Sequence, residues 1–142
     1  MRANAALRLS PREALVAAMV LMSAADGNGI TDAELHRMNR LVADLPAFGG
    51  SGAREVETAT EVIVRLLGEA DGLDRAATLI RDALPQRLRE TAYLLACEIA
   101  AADGEANQDE LRLLQDLRIA LDLDRLIAGA IERAAKARYQ VI

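Results

Sequence analysis

Apolar residues recur along the whole chain at the spacing of a helix rather than in the alternation of a strand. In the first stretch, Leu15, Met19 and Met22 stand at i, i+4 and i+7, which places them on one face of a helix. Further stripes of this kind predict about six more helices. Their apolar positions are Leu35, Met38, Leu41, Val42 and Leu45; Val56, Ala59, Ile63, Leu66 and Leu67; Leu73, Ala77, Ile80 and Leu84; Leu88, Ala92, Leu95 and Ile99; Leu111, Leu114, Leu117 and Leu121; and Ile127, Ala130, Ile131 and Ala134.

Proline and glycine mark where these helices end. The strongest break, residues 46–52, is predicted to be a flexible connection that is too short to link two domains. Asp71-Gly72 predicts only a turn, and Pro85 predicts the start of a new helix. Since short connections favour antiparallel neighbours, residues 1–142 are predicted to form one compact all-α domain, a bundle of about seven helices.

Two stretches, residues 14–25 and 91–102, are the most apolar, and Glu98 is the one charge within them. They predict the two central helices of the bundle. Arginines before the first stretch give it the outline of a secretory signal, but Ser10 followed by Glu13 is typical of a helix start. Both stretches are shorter than the roughly 20 apolar residues that span a bilayer, so we expect a cytoplasmic protein.

A short constellation occurs twice, once after each apolar stretch. Residues 24–35 read Ala-Ala-Asp-Gly-Asn-Gly-Ile-Thr-Asp-Ala-Glu-Leu, and residues 101–111 read Ala-Ala-Asp-Gly-Glu-Ala-Asn-Gln-Asp-Glu-Leu. Each ends one helix and opens the next with a capping box. The pattern predicts two pseudo-repeated αα-hairpins in an internally duplicated domain. The capping boxes are Thr31 with Glu34 and Asn107 with Glu110.

The two acidic loops allow two interpretations. As structural turns they need no ligand, because glycine ends helices, Asp and Asn bond within turns, and acidic residues suit a helix's first turn. As a site, oxygen donors beside the C-terminal carbonyls of a helix favour a hard divalent cation such as calcium or magnesium. The donors are Asp26, Asn28, Asp32 and Glu34 in the first loop, and Asp103, Glu105, Asp109 and Glu110 in the second.

The first loop is not a standard EF-hand. With Gly29 at the invariant sixth position, Ala24 falls at the first position and Leu35 at the twelfth. The first ligand and the bidentate glutamate are then both missing. Any cation site here is therefore of a different kind.

The two Ala-Ala-Asp-Gly segments, each followed by an N-cap and Glu-Leu in an all-helical chain, resemble the tellurite-resistance TerB family. The resemblance spans roughly residues 10–138, and the second copy, residues 100–111, is the closer match. The family is also similar to the N-terminal region of a membrane-anchored DnaJ-like co-chaperone. The first loop departs from the pattern, since the additional residue in Asn28-Gly29 changes its aspartate-to-glutamate distance.

The resemblance implies one α-helical domain of about seven helices with no enzymatic activity. It further implies a role in metal-stress response within protein complexes near the inner membrane. Acidic loop residues are the implied cation ligands, and here they correspond to Asp26, Glu34, Asp103 and Glu110, with Asp32 and Asp109 as further oxygen donors.

Composition excludes several functions. A net charge of −5 and an aromatic share of 2% argue against a nucleic-acid partner. Cys97 is the single cysteine, so the chain cannot form an intrachain disulfide. Cys97 and His36, the single histidine, cannot by themselves complete a structural zinc site. No phosphate-binding loop or nucleophile motif occurs, so we expect no enzyme; paired carboxylates remain the last hypothesis.

Glu98 is expected to be at least partly buried and to pair with an arginine of a neighbouring helix; the alternative is a ligand of the cation site. We expect protein partners, including a peripheral association with a membrane complex. The Met- and Ala-rich residues 14–25 are compatible with a homodimer.

Overall fold

The computed structural model describes residues 7–24, 29–49, 52–102, 104 and 106–142. Within these ranges every regular element is helical, so the prediction of an all-α fold is confirmed. The described residues form seven α-helices and one 3-10 turn: α1 (Pro11–Ala24), α2 (Asp32–Asp44), the turn Pro46–Phe48, α3 (Ala53–Leu67), α4 (Gly72–Ala83), α5 (Gln86–Ala102), α6 (Gln108–Ala120) and α7 (Arg125–Arg138).

Helices α1 and α5 form the centre of the molecule, as their apolar stretches predicted. Every residue of α1 from Ala14 to Ala24 is buried, and α1 contacts α2, α3, α4, α5 and α6. The start of α1 is the expected capping box, in which the Glu13 amide donates to Ser10 Oγ at 3.1 Å and the Ser10 amide to Glu13 Oε1 at 2.8 Å. The methionines and alanines of residues 14–24, which suggested a homodimer, thus lie inside the chain's own core. The homodimer remains a prediction, but these residues no longer support it.

Helices α3 and α7 hold corresponding places around this centre. In the first half α3 packs along α1, and in the second half α7 packs along α5. The halves differ elsewhere, because α4 has no counterpart and α6 and α7 make fewer contacts with each other than α2 and α3 do. An open cleft lies between α5, α6 and α7 as a result.

The segment predicted to be flexible begins instead as an ordered turn. Phe48 closes the 3-10 turn and is 1% exposed. Arg12 Nε of α1 donates to the carbonyl oxygen of Ala47 at 3.2 Å, which holds the turn against the central helix. The proline and glycines of residues 46–52 predicted a flexible connection, but Phe48, which precedes the glycines, is part of the core.

Three predicted apolar stripes are partly wrong. In α4, Leu73 is 38% exposed. In α7 the buried residues are Ala128 and Ala135, while Ile127 is 40% exposed. Ala130 and Ala134, which the stripe also included, are exposed. The buried positions Ala128 and Ala135 each lie one residue after a position of the stripe, and Ile131 is the stripe residue that packs partly buried against the core. In α6, Leu111 is 48% exposed because it faces the open cleft.

None of the helices in the described part of the chain has the length and apolar character needed to cross a membrane.

Candidate functional site

Both acidic loops lead into a helix whose first turn is closed by a complete capping box. At α2, the Thr31 amide donates to Glu34 Oε1 at 2.9 Å and the Glu34 amide to Thr31 Oγ1 at 3.1 Å. At α6, the Asn107 amide donates to Glu110 Oε1 at 3.0 Å and the Glu110 amide to Asn107 Oδ1 at 2.8 Å. The two junctions therefore have the same local geometry, as the repeated constellation predicted.

The predicted ligand residues fall into three groups. Glu34 and Glu110 are half-buried, and each uses Oε1 in its capping box, so Oε2 is the oxygen that can still coordinate. Asp32 and Asp109 lie in the same first turns and are exposed. The other predicted donors, Asp26, Asn28, Asp103 and Glu105, lie outside the described residues.

Across the described ranges, no three His, Cys, Asp or Glu side chains are grouped to hold a metal ion. A cation site at either loop must therefore draw on the aspartates outside those ranges.

Glycines next to the acidic positions adopt conformations that suit tight turns. Gly29 has φ +75° and Gly104 has φ +99°, values that side-chain-bearing residues rarely adopt. The Gly104 amide donates to the carbonyl oxygen of Ala101 at 3.1 Å, which closes a turn at the end of α5. These features support the structural interpretation of the loops as far as the described residues extend.

Glu98 is buried and paired with an arginine, as predicted. The residue is 7% exposed, and its Oε1 accepts a hydrogen bond from the Tyr139 hydroxyl at 2.9 Å. Arg138 Nε lies 3.1 Å from the same oxygen. Together these contacts fasten the end of α7 to α5 and account for a carboxylate in the apolar stretch.

A second polar pair lies one turn earlier on α5. Tyr93 is fully buried, and its hydroxyl donates to Glu132 Oε2 of α7 at 2.5 Å. Burial, together with this hydrogen bond, raises the pKa of the Tyr93 hydroxyl. Cys97, one turn further along α5, is 4% exposed. Burial raises the pKa of its thiol to about 12, and the negative charge of Glu132 adds to the effect.

We expect the free energy of unfolding to fall as the pH rises above about 9. The Cys97 thiol has a pKa of 9.0 unperturbed and about 12 in the fold, so the unfolded chain ionises first. The stability from the neutral thiol is therefore complete below about pH 9 and is lost as the pH approaches 12. Urea titrations at pH 7, 9 and 10 measure this fall. A Cys97→Ala variant should lose less stability over the same interval, and an equal loss would contradict the assignment to Cys97.

The sequence did not predict the cleft between α5, α6 and α7. It encloses about 1010 Å³, and Tyr93, Cys97, Ala100 and Ala135 belong to its floor. A comparison of the two halves could have found it, because the capping boxes align Val42 of α2 with Arg118 of α6. Val42 is buried, while Arg118 lines the cleft.

The fold and the paired loops define an all-α helical module whose two halves repeat one arrangement. A family model described as "Tellurite resistance protein TerB" matches residues 12–133. Since the match covers most of the chain, this protein belongs to the TerB family. No curated protein and no solved structure matches the chain.

Proposed function

We propose that this chain is a non-catalytic module of the tellurite-resistance or wider metal-stress response, in which the two acidic loops bind a divalent cation, calcium or magnesium, within a protein complex. The observation that carries the proposal is the repetition of one acidic loop and one capping box at the ends of both central helices. The TerB family match over residues 12–133 supports the cellular role.

The chemistry of the loops supports a hard cation. Each junction offers only oxygen donors, and these follow the C-terminal end of a helix, where carbonyl dipoles favour positive charge. The capping boxes hold Glu34 and Glu110 in place through Oε1, so neither carboxylate loses further freedom when it binds an ion. Asp26 and Asp103 are the donors whose removal tests the site most directly.

Three groups support a non-catalytic role. Cys97 is the single cysteine, and its raised pKa keeps it a neutral thiol at pH 7, which is a poor nucleophile. Glu98 and Glu132 are already engaged with Tyr139 and Tyr93. The carboxylates nearest the core thus serve to hold α7 on α5.

A purely structural interaction domain is the second candidate. The observation in its favour is that the capping boxes and the left-handed Gly29 and Gly104 account for much of the loop chemistry without an ion. In this case the Asp-Gly segments are turns, and the function resides in a docking surface.

Calorimetry on the chelator-treated chain separates the two candidates. Calcium, magnesium, manganese and zinc are titrated into the wild type, Asp26→Asn and Asp103→Asn. We expect binding in the micromolar range that is lost in one or both variants, because the aspartate supplies a charged ligand. The matched control is Asp71→Asn, which alters the third Asp-Gly, where the Asp71 side chain makes no cap hydrogen bond.

Each result of the titration has one meaning. If binding survives in both loop variants, or if Asp71→Asn abolishes it equally, the loops are not the site. If no ion binds and the loop variants are merely less stable, the chain is an interaction domain whose Asp-Gly segments are turns.

A further inference from the structure

The cleft between α5, α6 and α7 is wide, half-enclosed and mostly apolar. Its volume of about 1010 Å³ is at the upper end of the range for small-molecule sites, roughly 300–1,000 Å³. Leu111 and Leu114 of α6 form one wall, and Ala135 lies at the foot of the other. The C-terminal residues Tyr139 and Val141 border the end next to the α5–α6 loop.

Polar groups on the floor of the cleft are paired with each other. The Tyr93 hydroxyl donates to Glu132 Oε2 at 2.5 Å. The Cys97 thiol beside them is neutral at pH 7, since burial raises its pKa to about 12. A ligand in the cleft therefore contacts apolar side chains and the Tyr93–Glu132 pair, whose hydrogen bond is already made. An apolar part of a ligand fits this floor best.

The first half of the molecule shows what fills the corresponding space. The capping boxes align Met38 with Leu114 and Val42 with Arg118. In the first half, Phe48 packs beside Val42 near the start of α3; a Cβ added at Gly52 would lie 2.8 Å from Val42 and 3.0 Å from Phe48. The connection between α6 and α7 holds no aromatic residue, only the smaller buried side chains of Leu121 and Leu123, and the cleft lies open beside Arg118.

Basic side chains outnumber carboxylates in the cleft although the chain is acidic overall. Among the described residues that line it are Arg118, Arg125 and Lys136, with one carboxylate, Glu132. Arg118 Nη1 donates to the carbonyl oxygen of Leu123 at 3.3 Å, which holds this arginine at the α6–α7 turn, close in sequence to Arg125.

The position of Arg125 suggests a binding role. It is the first residue of α7, where the helix dipole disfavours a cation. Helix stability therefore does not explain an arginine at this position. An anion bound at this end of the cleft would explain it, because the guanidinium of Arg125 could pair with the anion.

We propose that this cleft binds a small amphipathic anion, a molecule with a linear or aromatic apolar body and one anionic head. The body lies between Leu114 and Ala135, and the head is held by Arg118 and Arg125. The site borders the second acidic loop at Gly104 and Ala106 but does not depend on a bound cation.

Dodecanoate, kept below its micellar concentration, is the probe for this site. Calorimetry measures its affinity, and backbone amide NMR locates the shifts. We expect binding with shifts confined to α5, α6 and α7. Dodecyl phosphate distinguishes a phosphate head from a carboxylate head, and either result supports the site. Dodecyltrimethylammonium, which has the same chain and a positive head, should bind at least tenfold more weakly.

Variants with matched controls test the two parts of the site. Arg118→Gln and Arg125→Gln should each weaken dodecanoate binding by about tenfold or more, since a charge-assisted hydrogen bond is lost. Leu111→Glu should weaken it by a similar factor, because it adds a negative charge to an exposed wall position. The controls are Arg133→Gln and Ile119→Glu, which make the same changes on α7 and α6 at residues that do not line the cleft.

Three results would overturn the proposal. One is equal binding of the cationic and anionic amphiphiles, and another is equal weakening by the control variants. The third is a change of the amide NMR shifts of the cleft residues with protein concentration in the absence of ligand, together with a dimer in sedimentation. This result would make the cleft an interface between copies of this chain.

Discussion

Gly72→Ala should be among the most destabilising substitutions in the chain, with a loss of about 3 kcal/mol or more. A Cβ at Gly72 would lie 1.7 Å from the carbonyl oxygen of Leu66 and 2.6 Å from its carbonyl carbon. Both atoms belong to the backbone at the end of α3, so no side-chain rotation relieves the clash. The end of α3 or the start of α4 must move instead. Thermal unfolding should show the melting temperature lowered by roughly 10 °C.

Gly129→Ala is the matched control for this prediction. Gly129 lies inside α7, and a Cβ there meets nothing within 4 Å. Alanine should therefore raise stability by about 0.5–1 kcal/mol through its higher helix propensity. Equal effects of the two substitutions would contradict the close approach of α4 to the end of α3.

Phe48→Ala should cost about 3–5 kcal/mol of stability. Phe48 is 1% exposed and lies beside Val42 near the start of α3, so alanine leaves a cavity where α2 meets α3. Chemical denaturation measures the loss. The control, Phe48→Leu, keeps most of the apolar volume and should lose clearly less. A loss below about 1 kcal/mol for Phe48→Ala would mean that the turn after α2 is not part of the core.

Local signals predicted the helices and their starts. The capping boxes at Thr31 and Asn107 form as expected, because the cap and the glutamate that closes it lie within one turn of each other. The central place of α1 and α5 was also predictable, since helices that are apolar on all sides must be buried.

Tertiary contacts decided what the sequence left open. The face of α7 that packs is set by α5, and it uses Ala128 and Ala135 rather than the larger Ile127. The cleft lies where α6 and α7 make few contacts with each other, and no apolar pattern within either helix predicts how closely the two helices pack. The cation site stays a prediction, because it depends on Asp26 and Asp103 and on how their side chains are placed.

The central position of α1 has a consequence for how the chain is made. Nearly all of α1 is buried, and the helices that cover it follow it in the sequence, α5 last among its most extensive contacts. At a synthesis rate of roughly 5–20 residues per second, several seconds pass between the synthesis of α1 and the synthesis of α5. Until then, one side of this apolar helix lacks the helix that covers it in the fold. During that interval α1 is a natural ligand for chaperones that bind apolar segments, and the chain should depend on them more than its small size suggests.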